Sequence, residues 1–307
     1  MNQQRNSSTH TYAQDNRNLS ILININGELF SRDEAKVSVF DSAFMLGDGV
    51  WEGLRVHNGK IAFLDKHLDR LYGGAKTLDF DPGITKKALT ARLYSTLEAN
   101  AMHDGVHLRL MMSRGTKSTP YQDPRVTITP PTIVIIPEYK EALPDTVENG
   151  IDLFTVHIRR GFSDVQDPKL NSHSKINCIL ACIQATKAGA DEALMLDPHG
   201  FVATCNSTHF FIVKNNRVVT SSGQYCIDGV TRGAVLDICA SEGISSAETQ
   251  FSVSDVYTAD EAFVTGTFAG LVPVCNVDGR EIGTGQRGPM VKRLQSLYMQ
   301  ALEQECA

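Results

Sequence analysis

The chain has no apolar run approaching the roughly 20 residues that cross a bilayer as a helix. It also has no Cys-x-x-Cys pair and no Cys/His spacing suited to zinc. These absences exclude a helical membrane span, a zinc module and a regular disulfide framework. Its seven cysteines (Cys178, Cys182, Cys205, Cys226, Cys239, Cys275 and Cys306) all lie in the second half, an odd number that fits reduced thiols in a cytoplasmic setting. A basic surplus is missing too. With 29 Lys plus Arg against 35 Asp plus Glu, dispersed along 307 residues, the net charge is −6. Such a balance gives no electrostatic footprint for nucleic acid or an anionic membrane and points to small-molecule partners. Residues 1–20 lack the apolar core of a secretory signal and are rich in Asn, Gln, Ser and Thr, so a disordered leader is expected there. What the chain does have is 42% hydrophobic residues, enough for about two buried cores at this length.

Hydrophobic patterning divides those residues. An apolar alternation from Ile21, broken at Asn26-Gly27, predicts a hairpin. Helical spacing follows over residues 65–78 and 84–102, where Leu89, Leu93 and Leu97 recur every fourth position, and strands return over 107–113 and 132–137. The polar, proline-bounded stretch after Pro137 reads as a linker. This gives a small α+β domain over 21–137, a linker over 138–149 and a larger α+β domain over 150–307. In the larger domain, strands are expected at 151–157, 192–196, 209–213, 217–220 and 262–265. Helices are expected at 172–189, with Ile176, Ile179, Leu180 and Ile183 on one face, at 231–242 and at 289–305, and a hairpin at Asp278-Gly279. Strands and helices mix without βαβ regularity, so the fold class is α+β.

Four local features stand in one order: Gly47-Asp48-Gly49-Val50-Trp51-Glu52-Gly53, Leu64-Asp65-Lys66-His67-Leu68-Asp69-Arg70-Leu71, Asp228-Gly229-Val230-Thr231-Arg232-Gly233, and Thr265-Gly266-Thr267-Phe268-Ala269. Together they resemble the fold-type IV pyridoxal-phosphate enzymes, the family of branched-chain and D-amino-acid aminotransferases and aminodeoxychorismate lyase. The resemblance covers residues 38–293. It implies a pyridoxal 5'-phosphate cofactor between two domains, a homodimer, and an amino acid or amine with a 2-oxo acid as substrates. It also implies that Arg70, Thr231 and Thr267 hold the cofactor phosphate. Elementary chemistry agrees: Val230 and Thr231 open a helix whose free N–H groups favour an anion, Gly266 lets the backbone approach closely, and Arg70 carries a permanent forked charge. An ordinary helix cap at Thr231 and a surface ion pair of Arg70 beside Asp69 are the competing structural roles. Arg109, alternating with Leu108 and Leu110, is expected to face the substrate or to join an interface salt bridge. Trp51, His107 and Phe268 are expected near the substrate.

Two positions depart from the family pattern. Members commonly read Asp-Pro, two residues, then the catalytic Lys; the text here is Asp167-Pro168-Lys169-Leu170-Asn171-Ser172-His173-Ser174-Lys175, which puts Asn171 at the lysine position. An amide cannot form a Schiff base. Lys175, four residues on and on the same side if the helix has begun, is the preferred replacement. Lys169 is the alternative, and a chain in which neither lysine bonds the cofactor is the third reading. The second departure is Thr204, where a Glu usually keeps the pyridine nitrogen protonated; a hydroxyl supplies no such charge and weakens the electron sink. His173 and His209 are each either a general base or a satisfied structural histidine. The expected function is a branched-chain-type aminotransferase with a remodelled site. A lyase or dehydratase on the same scaffold and a non-catalytic ligand-binding dimer are the alternatives.

Overall fold

The structure, a computed structural model, describes residues 8–307. Two compact units divide them: residues 14–141 with 170–175 and 303–307 form the first, and residues 8–13 with 142–169 and 176–302 form the second.

In the first unit, β1 (Leu22–Ile25) turns through Asn26 and Gly27, both at positive φ, into β2 (Glu28–Ser31). Then come α1 (Ser42–Leu46), β3 (Gly49–His57), β4 (Lys60–Ile61), α2 (Leu64–Thr77), α3 (Lys86–Ala99), β5 (Val106–Ser113) and β6 (Thr132–Tyr139). The sheet order is β2-β1-β6-β5-β3-β4, with every pair antiparallel. The predicted repeat Leu89, Leu93 and Leu97 buries completely with Leu68 and Leu71 against Val50, Leu54, Leu108 and Leu110. Each such burial contributes roughly 2 kcal/mol. Because side chains alternate along a strand, the other face of β3 and β5 is left with Trp51, Gly53 and Arg55 opposite Met111, Arg109 and His107. That face carries the sequence-predicted substrate residues Trp51, His107 and Arg109.

The leader expected over 1–20 is not structureless where it is described; residues 1–7 lie outside the described residues. Asn16–Ser20 forms a 3-10 turn, and buried Asn18 exchanges two hydrogen bonds with the Tyr139 backbone, at 2.9 and 2.8 Å. The same exchange carries β6 to Tyr139, into the expected linker. The rest of that linker includes α4 (Pro144–Asn149), whose first turn begins on a proline that needs no donor.

The second unit continues with β7 (Ile151–Thr155), α5 (Ser163–Gln166), α6 (Ile176–Lys187), β8 (Glu192–Leu196), β9 (Val202–Cys205), β10 (His209–Lys214) and β11 (Arg217–Thr220). After these come α7 (Val230–Ser241), β12 (Ser246–Glu248), α8 (Val253–Tyr257), β13 (Glu261–Gly266), β14 (Gly270–Val277), β15 (Arg280–Glu281) and α9 (Pro289–Glu305). Its sheet runs β12-β11-β10-β13-β14-β7-β8-β9, with β15 on β14. Three pairs, β11–β12, β14–β7 and β7–β8, are parallel and the others antiparallel. With both units mixed in this way, the fold is α+β.

α6 corrects the sequence reading twice. It starts at Ile176, not Ser172, because the four preceding residues are drawn along β3 instead of coiling. Its apolar stripe also points outward: Ile176, Ile179, Leu180 and Ile183 are 64%, 51%, 44% and 44% exposed, while small Cys178, Ala181 and Ala185 pack inward. The periodicity was legible; the buried side is the one whose small residues allow close approach to the sheet.

Candidate active site

In the first unit the segment before α6 docks as a short extra strand. Ser172 bridges Val50 antiparallel, Trp51 N–H donates to the Asn171 carbonyl at 3.1 Å, and His173 N–H donates to the Gly49 carbonyl at 2.9 Å. The Trp51 indole N–H donates to the Ser172 carbonyl at 3.1 Å, and Asn171 Nδ2 donates to the Trp51 carbonyl at 2.6 Å. A Cβ on Gly49 would sit 2.8 Å from the His173 ring, so this close docking requires glycine there. Asn171 is 6% exposed, and its Oδ1 has no partner; the buried His173 Nε2 has none either. Burial, aided by Arg109 and Lys175, lowers the His173 pKa against the opposing Val50 backbone and Asp41.

Both sequence-predicted lysines are placed by this docking. Lys175 lies on the docked segment with its Nζ 5.5 Å from the centre of the Trp51 ring. Lys169 is exposed in a loop of the second unit. The expected helical relation of Lys175 to Asn171 does not exist, since α6 begins one residue after Lys175; what brings them together is the bridge to β3. Arg109 stacks on the same indole, 3.7 Å from its centre, and no carboxylate pairs with it among the described residues. Burial lowers its pKa, with Glu138 and Glu52 opposing. His107 lies on that face too, its ring 3.1 Å from where a Gly53 Cβ would stand.

On the core side of β3, Arg70 does not pair with Asp69, which meets Lys86 instead. Its Nε and Nη2 donate to the buried Glu52 carboxylate at 2.8 and 2.6 Å, and His67 Nδ1 meets the same carboxylate at 2.7 Å. Burial pushes the Glu52 pKa up, but the His67 and Arg70 hydrogen bonds and charges outweigh it and hold the carboxyl below its ordinary value. Sequence reasoning gave Glu52 and His67 no role. The alternation that buries position 52 between apolar Val50 and Leu54 was the available signal.

In the second unit, the turn ahead of α7 is built around His209. Its Nε2 donates to the Ile227 carbonyl at 2.9 Å, and its ring fills the space of a Gly229 Cβ, only 2.3 Å away. This packing and hydrogen bond give His209 a structural part in the turn. Gly229 caps α7 without a side-chain hydrogen bond, and the N–H groups of the first turn, at Val230 and Thr231, carry the helix's partial positive charge. Gly266 and Thr267 sit where β13 turns into β14, Gly266 pairing with Gly270. Phe268 is 6% exposed, with the His10 ring stacked on it at 5.8 Å.

Thr204, buried in β9, donates its hydroxyl hydrogen to the Thr208 carbonyl at 2.8 Å, so that hydrogen is already committed and the expected bond to a neutral ring nitrogen would need another donor. Thr208 Oγ1 in turn donates to Glu192 at 2.7 Å, as does the Thr9 hydroxyl. Burial pushes the Glu192 pKa up to about 7 in spite of the Thr208 and Ser207 hydroxyls, with Asp191 adding to the rise. Glu192 also escaped the sequence reading, although a charged residue opening a fully apolar strand was visible.

Comparison with known proteins matches residues 49–277 to the family model for amino-transferase class IV. The chain is 40% identical over 281 residues to the branched-chain-amino-acid aminotransferase-like protein 2 of Arabidopsis thaliana, covering 92% of this chain and 50% of the relative; it spans about half that protein's length. It is 39% identical over 277 residues to a putative branched-chain-amino-acid aminotransferase of Methanocaldococcus jannaschii, covering 90% and 94%. Among solved structures, the T.th. branched-chain amino acid aminotransferase with pyridoxamine 5'-phosphate superposes with a TM-score of 0.87 at 28% identity, covering 93% of this chain and 95% of that one.

Proposed function

The chain belongs to the aminotransferase class IV family, and from that premise we propose that it is a pyridoxal-phosphate-dependent aminotransferase of the branched-chain type with a remodelled site. It moves an amino group between an amino acid or amine and a 2-oxo acid. What supports this reading is the first turn of α7, where N-cap Gly229 has no side chain to cap the helix, Val230 and buried Thr231 follow it, and the His209 ring packs against the turn. These residues fit a phosphate, and Gly266 and Thr267 add a second close-approach turn. When bound, the cofactor supplies an electron sink for the carbon bearing the amino group.

The chain's own residues do the rest. Val230 and Thr231 hold the phosphate oxyanions. Arg109, stacked on Trp51 with no carboxylate paired to it among the described residues, receives an anionic group of the substrate. Lys175, on the segment pinned to β3, is the lysine that moves the proton, in preference to exposed Lys169. Thr204 brings no charge to the ring nitrogen, which supports slower proton abstraction than a Glu at that position gives.

The exposed stripe on α6 supports a homodimer, and seven free thiols, six of them buried, support a reducing cytoplasmic location. Incubating the chain with pyridoxal 5'-phosphate, L-leucine and 2-oxoglutarate tests the function. Appearance of glutamate supports it; cofactor-dependent release of ammonia without glutamate replaces it with a lyase.

A further inference from the structure

Asn171 and His173 raise a question that the aminotransferase reading leaves open. Eight buried side-chain polar atoms lack a partner among the described residues, and two of them, Asn171 Oδ1 and His173 Nε2, lie on one three-residue segment. Buried polar atoms are rarely left unsatisfied, because each costs about 1–3 kcal/mol. The pair lies on a segment held to Gly49 and Trp51 by four hydrogen bonds, so its hydrogen-bonding capacity has a fixed place and a chemical character.

That character follows from the partners already made. Asn171 gives one Nδ2 hydrogen to the Trp51 carbonyl, and its buried Oδ1 remains as an acceptor without a partner among the described residues. The buried His173 Nε2 is the other atom of the pair without a partner among the described residues, and in the neutral tautomer that carries its proton on Nδ1 it is an acceptor as well. Both side chains flank the Ser172–Val50 bridge, so they share a face. The His173 ring confirms which one, since it lies where a Gly49 Cβ would point, the same side of β3 as Trp51.

We infer that Asn171 and His173 together form a receiving site for a primary amino group, bound without a covalent bond at the position where relatives carry the catalytic lysine. An uncharged amine offers two N–H donors to two acceptors. The charged groups felt by His173 are Arg109 and Lys175, which are cationic, and Asp41, so the surroundings favour the uncharged amine over an ammonium ion. An uncharged amine keeps the lone pair that attack on a 2-oxo acid requires. This inference rests on the proposed function, because the amine belongs either to the aminated cofactor or to the amino substrate.

Binding measurements separate those sources without relying on turnover. Trp51 is the chain's single tryptophan and lies beside both acceptors, so its fluorescence reports occupancy. The full chain is titrated with pyridoxamine 5'-phosphate and with pyridoxine 5'-phosphate, which differ only in carrying an amine or a hydroxyl, and with L-leucine and 4-methylpentanoate. A hydroxyl has one donor where the amine has two, so the expected preference for pyridoxamine 5'-phosphate is about tenfold. In Asn171→Leu and His173→Phe that preference disappears while pyridoxine 5'-phosphate binding is unchanged. If the same two variants remove a preference for L-leucine over 4-methylpentanoate, with the two phosphates bound equally, the amine is the substrate's. Equal binding within both pairs, or parallel loss of amine and non-amine ligands in the variants, overturns the amine site and leaves the cofactor reading standing. If neither phosphate binds, both fall.

Discussion

Asn171 Nδ2 donates to the carbonyl oxygen of Trp51 at 2.6 Å, and Trp51 N–H returns a bond to the Asn171 carbonyl at 3.1 Å. A residue that cannot do a lysine's chemistry is thus locked to the backbone of the tryptophan on whose ring Arg109 and Lys175 converge. Removing the amide in Asn171→Ala leaves the Trp51 carbonyl without this donor and is expected to cost about 1–2 kcal/mol. Urea denaturation followed by Trp51 fluorescence measures it; an unchanged midpoint contradicts the role.

Glu52, completely buried between Arg70 and His67, makes the strongest stability prediction. Glu52→Gln leaves a guanidinium without its counter-charge and is expected to lose about 3–5 kcal/mol. The pH dependence has a definite sign. A carboxyl held below its ordinary 4.5 contributes stability that is present above pH 4.5 and is lost as pH falls through its folded value. Acid unfolding of the wild type should therefore be steeper than that of the variant.

Glu192 runs the other way. Its pKa rises from 4.5 to about 7 on folding, so the folded state holds a proton that the unfolded state has released, and stability falls as pH climbs from 4.5 to 7. Glu192→Gln removes that slope. It should gain roughly 1–3 kcal/mol over the wild type above pH 7 and nothing near pH 4, and thermal melts across this range decide.

Gly229 has no room for a side chain, because the His209 ring lies 2.3 Å from its Cβ position. Gly229→Ala must displace the turn and with it the open α7 terminus. Affinity for pyridoxine 5'-phosphate should fall by about tenfold or more; unchanged affinity places the phosphate elsewhere.

The α6 stripe gives the assembly prediction. Replacing Ile179 and Ile183, which are 51% and 44% exposed, by Glu costs the lone chain little but introduces like charges into any self-association face. Analytical ultracentrifugation should show a dimer becoming a monomer.

Much of this was readable beforehand, and the misses have physical causes. Leu89, Leu93 and Leu97 announced α3 because periodicity records which face is apolar. The same signal at Ile176 and Ile179 could not say whether the apolar face meets the chain's own core or stays open, because small Cys178, Ala181 and Ala185 compete for the inner side through fit. The motifs pointed to Thr231, Arg70 and Thr267, while Glu52 and Glu192 stayed hidden since a buried carboxyl is recognised by its distant partners. The start of α6 was misplaced because the bridge of Ser172 to Val50 is a tertiary contact between residues 122 positions apart, and it overrides local helix propensity.

The central claim is that the segment from Asn171 to Lys175 has taken over the lysine position, with Lys175 as the working amine. Borohydride reduction of the chain in the presence of pyridoxal 5'-phosphate, followed by peptide mapping, tests it most directly. The account predicts a single covalent label on Lys175, absent from Lys175→Arg; a label on Lys169, or no labelled lysine at all, contradicts it.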